Sequence, residues 1–267
     1  MLKVNNLSVF TNNNSKKIIN NLSINFNPSE VHVIIGPNGN GKSTFLKSLI
    51  NDSSYQKEGE IIFENLNITN LSTEEITKKG IFLCWQNPLL MHAVNCLDFL
   101  QLMIESINGK KIEFYDLYQK ITTGCKELNF DFNLLKKTNE NFSGGERKKF
   151  EILQLYCISP KIALIDEFDS GLDIDGIKKI SKYLQKIAKD KKICVILVSH
   201  YESIYRYLDP DFVHVMVNGT IVESSKDKAL IEKIATYGYD WIYKKHKILK
   251  IEDDERDSLL ICASNKK

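Results

Sequence analysis

The alternation of apolar and polar positions changes period several times along the chain, and each change marks an element. Residues 1–35 alternate, as in "MLKVNNLSVF", which predicts short strands broken by the polar loop "TNNNSKK". The strand "VHVIIG" leads into a glycine-rich turn, and an amphipathic stretch then predicts a helix from near Lys42 to about Ile50. "GEIIFENLNI" (59–68) and "GIFLCW", which ends at Trp85, have strand composition. From about Asn95 to Asn139 the period becomes helical, with Leu97, Leu100, Met103 and Ile104 at helical spacing, so this block reads as an insertion. "KIALIDE" (161–167) is a buried strand running into acids, followed by a helix to about Lys189. The strand "KICVILVSH" and the hairpin "VHVMVNGTIVES", with Asn218-Gly219 at its turn, follow. Strands alternating with helices predict an α/β fold with a largely parallel sheet. The tail from Lys244 is charge-rich and reads as a frayed helix or disorder.

The turn between the strand ending at Ile35 and the next helix carries chemistry. Its residues are Gly36, Pro37, Asn38, Gly39, Asn40, Gly41, Lys42, Ser43 and Thr44. The spacing Gly36-x-x-x-x-Gly41-Lys42-Ser43 fits a phosphate-cradling loop. Glycines let backbone N–H groups turn inward without Cβ clashes, and the helix start adds its positive dipole end. Lys42 can reach β/γ-phosphates, and the Ser43 hydroxyl can ligate Mg²⁺. An ordinary glycine turn is the bland alternative, but the required strand and helix flank this one.

Four further signals are weak singly. Asp166 and Glu167 close an apolar strand, where Asp166 can hold a Mg²⁺ shell and Glu167 can act on water as general base. Ser143-Gly144-Gly145-Glu146 stands at a helix start and can form a second anion site. A plain capping box explains Ser143 and Glu146 but not two consecutive glycines, which are poor helix residues. Gln86 follows the strand "IFLCW", where it can touch both Mg²⁺ and the insertion. His200 follows "CVILVS", where an imidazole can contact a γ-phosphate.

Composition narrows the setting. A chain of 267 residues holds one large domain or a core with a subdomain. A net charge of +2 gives no strong field for nucleic acid, and no apolar run approaches the roughly 18 residues of a membrane span. The opening residues read as a strand, not a secretory signal. Cysteines at 84, 96, 125, 157, 194 and 262 include no C-x-x-C pair. Reduced thiols in a cytosol-like compartment fit this pattern better than metal or iron–sulfur ligation.

The order of these motifs resembles the nucleotide-binding domain of ABC ATPases over roughly residues 1–242. A helical subdomain at about 90–155 would be inserted, and a charged tail would fill 243–267. The resemblance implies a P-loop NTPase core with a parallel sheet, an antiparallel β subdomain and the inserted helical subdomain. It implies ATP and Mg²⁺ as ligands, with Lys42, Glu167 and His200 catalytic and Ser43, Gln86 and Asp166 around the metal. It also implies that Ser143, Gly144, Gly145 and Glu146 meet the nucleotide of a second protomer, and that Ser170-Gly171-Leu172-Asp173 forms the D-loop. Phe10 is the only aromatic near the place of the family's adenine-stacking residue. After the acids the chain reads "DEFDSGLDIDG", where transporter ATPases usually read "DEPTSALDP". This stretch, with "GIFLCWQNP", "GGERKKFEILQL" and "YGYDWI", is similar to SufC-type ATPases of the SUF iron–sulfur cluster assembly system. That similarity implies docking on SufB/SufD-like scaffold proteins in the cytoplasm, or in a plastid or apicoplast stroma after removal of a transit peptide. Leu89, Leu90, Met91 and Val94, beside Gln86, would form the partner surface. The alternatives are the ATPase subunit of an ABC membrane transporter, and a non-catalytic nucleotide switch, against which Glu167 speaks.

Overall fold

Two sheets share the work of burying the chain. The computed structural model describes residues 1–12, 16–169, 171–199, 207–227 and 229–248. β1 (Leu2–Thr11), β2 (Lys17–Phe26), β4 (Tyr55–Phe63) and β5 (Leu66–Asn67) form an antiparallel sheet in the order β2-β1-β4-β5. The strands expected in residues 1–35 are therefore longer than foreseen: β1 and β2 each span ten residues. The second sheet contains β3 (Val31–Ile35), β6 (Ile81–Cys84), β7 (Ile162–Asp166), β8 (Cys194–Val198), β9 (Phe212–Val217) and β10 (Thr220–Ser225). Its order is β10-β9-β3-β8-β7-β6, parallel throughout except for the β9–β10 hairpin. Asn218 (φ 49°) and Gly219 (φ 73°) make the expected hairpin turn, since both need positive φ.

The central strands are almost entirely apolar because both faces are covered, with His32, Asp166 and His214 the buried polar exceptions. Val33, Ile35, Ala163, Ile165, Val195 and Leu197 face one core, while Ile34, Ile162, Leu164, Ile196 and Val198 face the other. The second core is closed by α1 (Lys42–Leu49) and the antiparallel sheet, with α2 (Thr73–Lys79) contributing Ile76. The first is closed by α3 (Cys96–Asn108), α4 (Phe114–Leu128), α5 (Gly144–Ile158) and α6 (Ile174–Asp190). The expected helical insertion comprises α3 to α5, with two short 3₁₀ turns between α4 and α5. α4 meets α5 where Gly124 lacks a side chain: a Cβ there would stand 2.6 Å from Leu153 Cδ1. Phe130, Phe142 and Phe150 pack around one another beside this contact.

Of the frayed helix or disorder expected from Lys244, the start is helical. α7 (Ala229–Tyr237) is followed by α8 (Asp240–His246), so helix passes through residue 242 and into the charged stretch. Ile242 and Tyr243 are buried in the first core, and Lys245 pairs with Glu223 at 2.8 Å, which explains the continuation. Residues 249–267 lie outside the described residues. Cys84, Cys96, Cys125, Cys157 and Cys194 are buried free thiols, while Cys262 lies outside the description. No group of three or more metal-ligating His, Cys, Asp or Glu occurs among the described residues.

A polar chain runs from β3 across β9 to the edge strand β10. His32 Nε2 meets Glu30 Oε2 at 2.9 Å, His32 Nδ1 meets His214 Nε2 at 3.0 Å, and His214 Nδ1 meets Ser224 Oγ at 2.8 Å. Burial lowers the pKa of His214 to about 3, with His32 pushing the same way, and burial also lowers that of His32. The unfolded chain takes up a proton on His214 near pH 6.5, the folded chain only near 3. Stability from this residue is thus complete above pH 6.5 and lost as pH falls toward 3. Unfolding by urea at pH 5 should show a loss of about 2 kcal/mol relative to pH 7.5 from His214 alone. The loss should shrink in His214→Asn.

Candidate nucleotide site

The glycine loop joins the C-terminal end of β3 to the N-terminus of α1, in the middle of the parallel sheet. Close approach fixes its glycines. A Cβ on Gly36 would stand 2.1 Å from the Met216 carbonyl oxygen, and one on Gly41 2.8 Å from Ile19 Cδ1. Gly41 occupies the N-cap of α1 at φ 94°, a conformation that favours glycine. The tip of the β9–β10 hairpin braces the loop from outside. Asn218 N–H donates to Asn40 Oδ1 at 2.6 Å, and Gly219 N–H donates to the Asn40 carbonyl at 3.2 Å.

A cleft of about 470 Å³ opens over this loop, a size suited to a small-molecule ligand. Residues 38–44 form its floor, Lys16 and Ile18 one wall, Gln86 and Glu167 the other. Lys42 is only 4% exposed, and its Nζ donates to the carbonyls of Gly36 at 2.8 Å and Pro37 at 2.9 Å. Burial lowers its pKa to about 8, against the pull of Glu167 and Asp166. Ser43 Oγ donates to Asp166 Oδ1 at 2.9 Å, joining the start of α1 to the end of β7. Burial raises the pKa of Asp166, the Ser43 hydrogen bond opposes this, and Glu167 adds to it. Glu167 departs from the strand with φ 48°, a left-handed conformation uncommon for a side-chain-bearing residue. Its N–H is held by the Val198 carbonyl at 3.0 Å, and its Oε2 accepts from Gln86 Nε2 at 2.6 Å. The loop, Gln86, Asp166 and Glu167 therefore converge, although they are far apart in sequence.

Other expected residues lie elsewhere. Ser143 caps α5, and Glu146 completes a capping box, with Ser143 N–H and Oγ donating to Glu146 Oε2 at 2.7 and 2.8 Å. The two glycines that capping leaves unexplained pack against the segment after β7: a Cβ on Gly145 would stand 3.1 Å from the Gly171 carbonyl oxygen. Residues 143–146 do not line the cleft of a single chain. Phe10 is also off the cleft, half-buried with Lys17 Nζ 5.5 Å from its ring centroid. Ile18 and Lys16, which the sequence did not single out, line it instead. No local signal marks them, because only the placing of β2 against the loop brings them there. Ser170 and His200 lie outside the described residues.

A phosphate loop on a parallel sheet, with a strand-end carboxylate bonded to its serine, defines a P-loop nucleotide-binding cassette. The profile of the ABC transporter family matches residues 19–170, and the chain belongs to that family. It is 37% identical over 253 residues to the probable ATP-dependent transporter ycf16 of Antithamnion sp., covering 91% of this chain and 98% of that one. It is 35% identical over 243 residues to vegetative protein 296 of Bacillus subtilis (strain 168), covering 90% and 91%. A dimeric ATP-binding cassette in a post-hydrolysis state with ADP and phosphate superposes with a TM-score of 0.75 at 21% identity, over 84% of this chain and 98% of that one. A nucleotide-free cassette from an ABC transporter gives 0.72 at 25% identity, over 94% and 99%. The protein is an ABC-type ATPase. No helix among the described residues is long and apolar enough to cross a membrane.

Lys42→Ala should weaken ATP binding by roughly 1.5–3 kcal/mol, the range for a charge-assisted contact. Isothermal calorimetry on the folded variant checks this, and unchanged affinity would remove Lys42 from the phosphate site.

Proposed function

We propose that the chain is a SufC-like subunit that couples ATP-driven dimerisation and hydrolysis to iron–sulfur cluster assembly on a SufB/SufD-like scaffold. The observation that carries its enzymatic part is the convergence of Lys42, Ser43, Gln86 and Glu167 on one cleft, with buried Asp166 bonded to Ser43 beside it. Lys42 holds the β/γ-phosphates. Glu167 takes a proton from the attacking water, and Gln86 fixes the carboxylate that does so. Ser43, Asp166 and the Gln86 amide offer only oxygen donors, a set that fits Mg²⁺, which supplies charge neutralisation at the phosphates when bound. His200 takes the γ-phosphate contact on the strength of the sequence resemblance.

Ser143, Gly144, Gly145 and Glu146 act on the nucleotide of a second copy. Their separation from the chain's own cleft supports this, as does the dimeric state of a cassette of the same fold. ATP then bridges two chains in an isologous pair, so binding and association are linked. The SUF assignment rests on "DEFDSGLDIDG" after the catalytic acids, in place of the transporter pattern. Leu89, Leu90 and Val94 are exposed at 74%, 46% and 38%, which suits a docking surface. Met91 is half-buried against the first core, so it supports the surface from beneath. Five buried free thiols suit a reducing compartment, cytoplasm or plastid or apicoplast stroma. The ATPase subunit of a membrane transporter is the second reading, favoured by the names of the relatives.

Glu167→Gln should keep ATP affinity, lose about 10²–10⁴-fold in turnover, and accumulate as an ATP-bound dimer. Steady-state hydrolysis and sedimentation with ATP and Mg²⁺ read the two effects. Wild-type turnover would dismiss Glu167 as base, and a monomer under saturating ATP would dismiss the use of Ser143 in trans. Leu90→Asp should release a soluble scaffold in pull-down while sparing ATP binding. Co-purification with an integral membrane protein would favour the second reading.

A further inference from the structure

The backbone of Trp85, one residue before Gln86, is gripped by α5 at both its N–H and its carbonyl. Its N–H donates to Glu151 Oε1 at 2.5 Å, and its carbonyl accepts from Lys148 Nζ at 2.5 Å. Lys148 and Glu151 also face each other at 3.5 Å, three residues apart on one helix face. Their side chains are 3% and 5% exposed. The Trp85 indole meets a third element, with Lys47 Nζ of α1 5.7 Å from its ring. The phosphate-loop helix, the Ser143-capped helix and Gln86 thus meet at one residue.

An ion pair this deep is a poor source of stability. Two desolvated charges commonly contribute less than apolar residues of the same volume. Burial raises the Glu151 pKa to about 7, although Lys148 pulls it down. What the pair supplies is direction: one acceptor and one donor fix the two peptide groups that flank Trp85. The next side chain, Gln86, donates to Glu167 at 2.6 Å. Ser143 starts the same helix five and eight residues earlier, about 8–12 Å along a rigid rod.

We propose that Lys148 and Glu151 are positioning residues that lock the Trp85 backbone to α5, so that Gln86 holds Glu167 over the cleft and a shift of α5 at Ser143 reaches Glu167. The proposal rests on the reading of Glu167 as general base. It makes hydrolysis depend on the seating of α5 without any contact between Glu151 and nucleotide.

The test uses the full chain and a K148M/E151L variant, which leaves neither charge buried alone. The expected result is an unfolding midpoint close to wild type, ATP affinity within about twofold, and kcat lower by on the order of 10-fold or more, as misplacement of a reacting group costs. E151Q, which keeps an acceptor for the Trp85 N–H and nearly the same shape, should fall between the two. It also carries the test if the double variant does not fold. Combined with Q86A, the pair variant should be no slower than Q86A alone within about twofold, because both act through one side chain. Wild-type kcat in K148M/E151L and E151Q, parallel losses of affinity and kcat, or losses that multiply with Q86A would overturn the proposal. Wild-type turnover in K148M/E151L while E167Q is inactive overturns the clamp alone. Wild-type turnover in E167Q overturns the base and the clamp together.

Discussion

A lysine ammonium inside a protein needs partners, and much of this structure is arranged around that of Lys42. Two carbonyls of the glycine loop accept from it, and two strand-end carboxylates raise its pKa against the effect of burial. The loop can present those carbonyls only if it turns tightly, which demands glycine at positions 36 and 41. The carboxylates can stand opposite only if β7 lies near β3 in a parallel sheet, with one strand between them. The placing of Asp166 and Glu167 therefore follows from sheet order.

The resulting site is assembled from elements with separate supports. The hairpin tip at Asn218 braces the loop, α5 braces the segment before Gln86, and Val198 braces Glu167. The left-handed backbone at Glu167 carries a conformational cost that the neighbouring strand must hold in place. Such strain fits the role of general base proposed for this carboxylate.

The parts of this arrangement legible in the sequence were those with short-range causes. Glycine spacing marked the phosphate loop, an apolar run ending in acids marked β7, and Asn218-Gly219 marked the hairpin. Pairings between distant segments left no such trace. Nothing local shows that β2 places Ile18 on the cleft, and the family resemblance pointed instead to Phe10, which faces Lys17. The consecutive glycines 144 and 145 were visible as an anomaly. The Gly171 backbone that packs against them was not, because that contact joins α5 to the turn after β7. The charge of the C-terminal stretch left helix and disorder both open, and the buried Ile242 and Tyr243 of α8 decide for helix as far as His246.

For the cluster-assembly role proposed above, the buried cysteines bear on reactivity toward iron and sulfide. Soft metals and oxidants attack the thiolate, not the thiol. Burial lifts the pKa of Cys96 and Cys157 to about 12 and that of Cys125 to about 11, and raises Cys84 above its ordinary value. At neutral pH, roughly one in ten thousand or fewer of the thiols at 96, 125 and 157 is ionised at any moment. These side chains add bulk to the core while remaining chemically silent. A protein working beside a nascent cluster would then neither sequester its iron nor exchange sulfur with it through them.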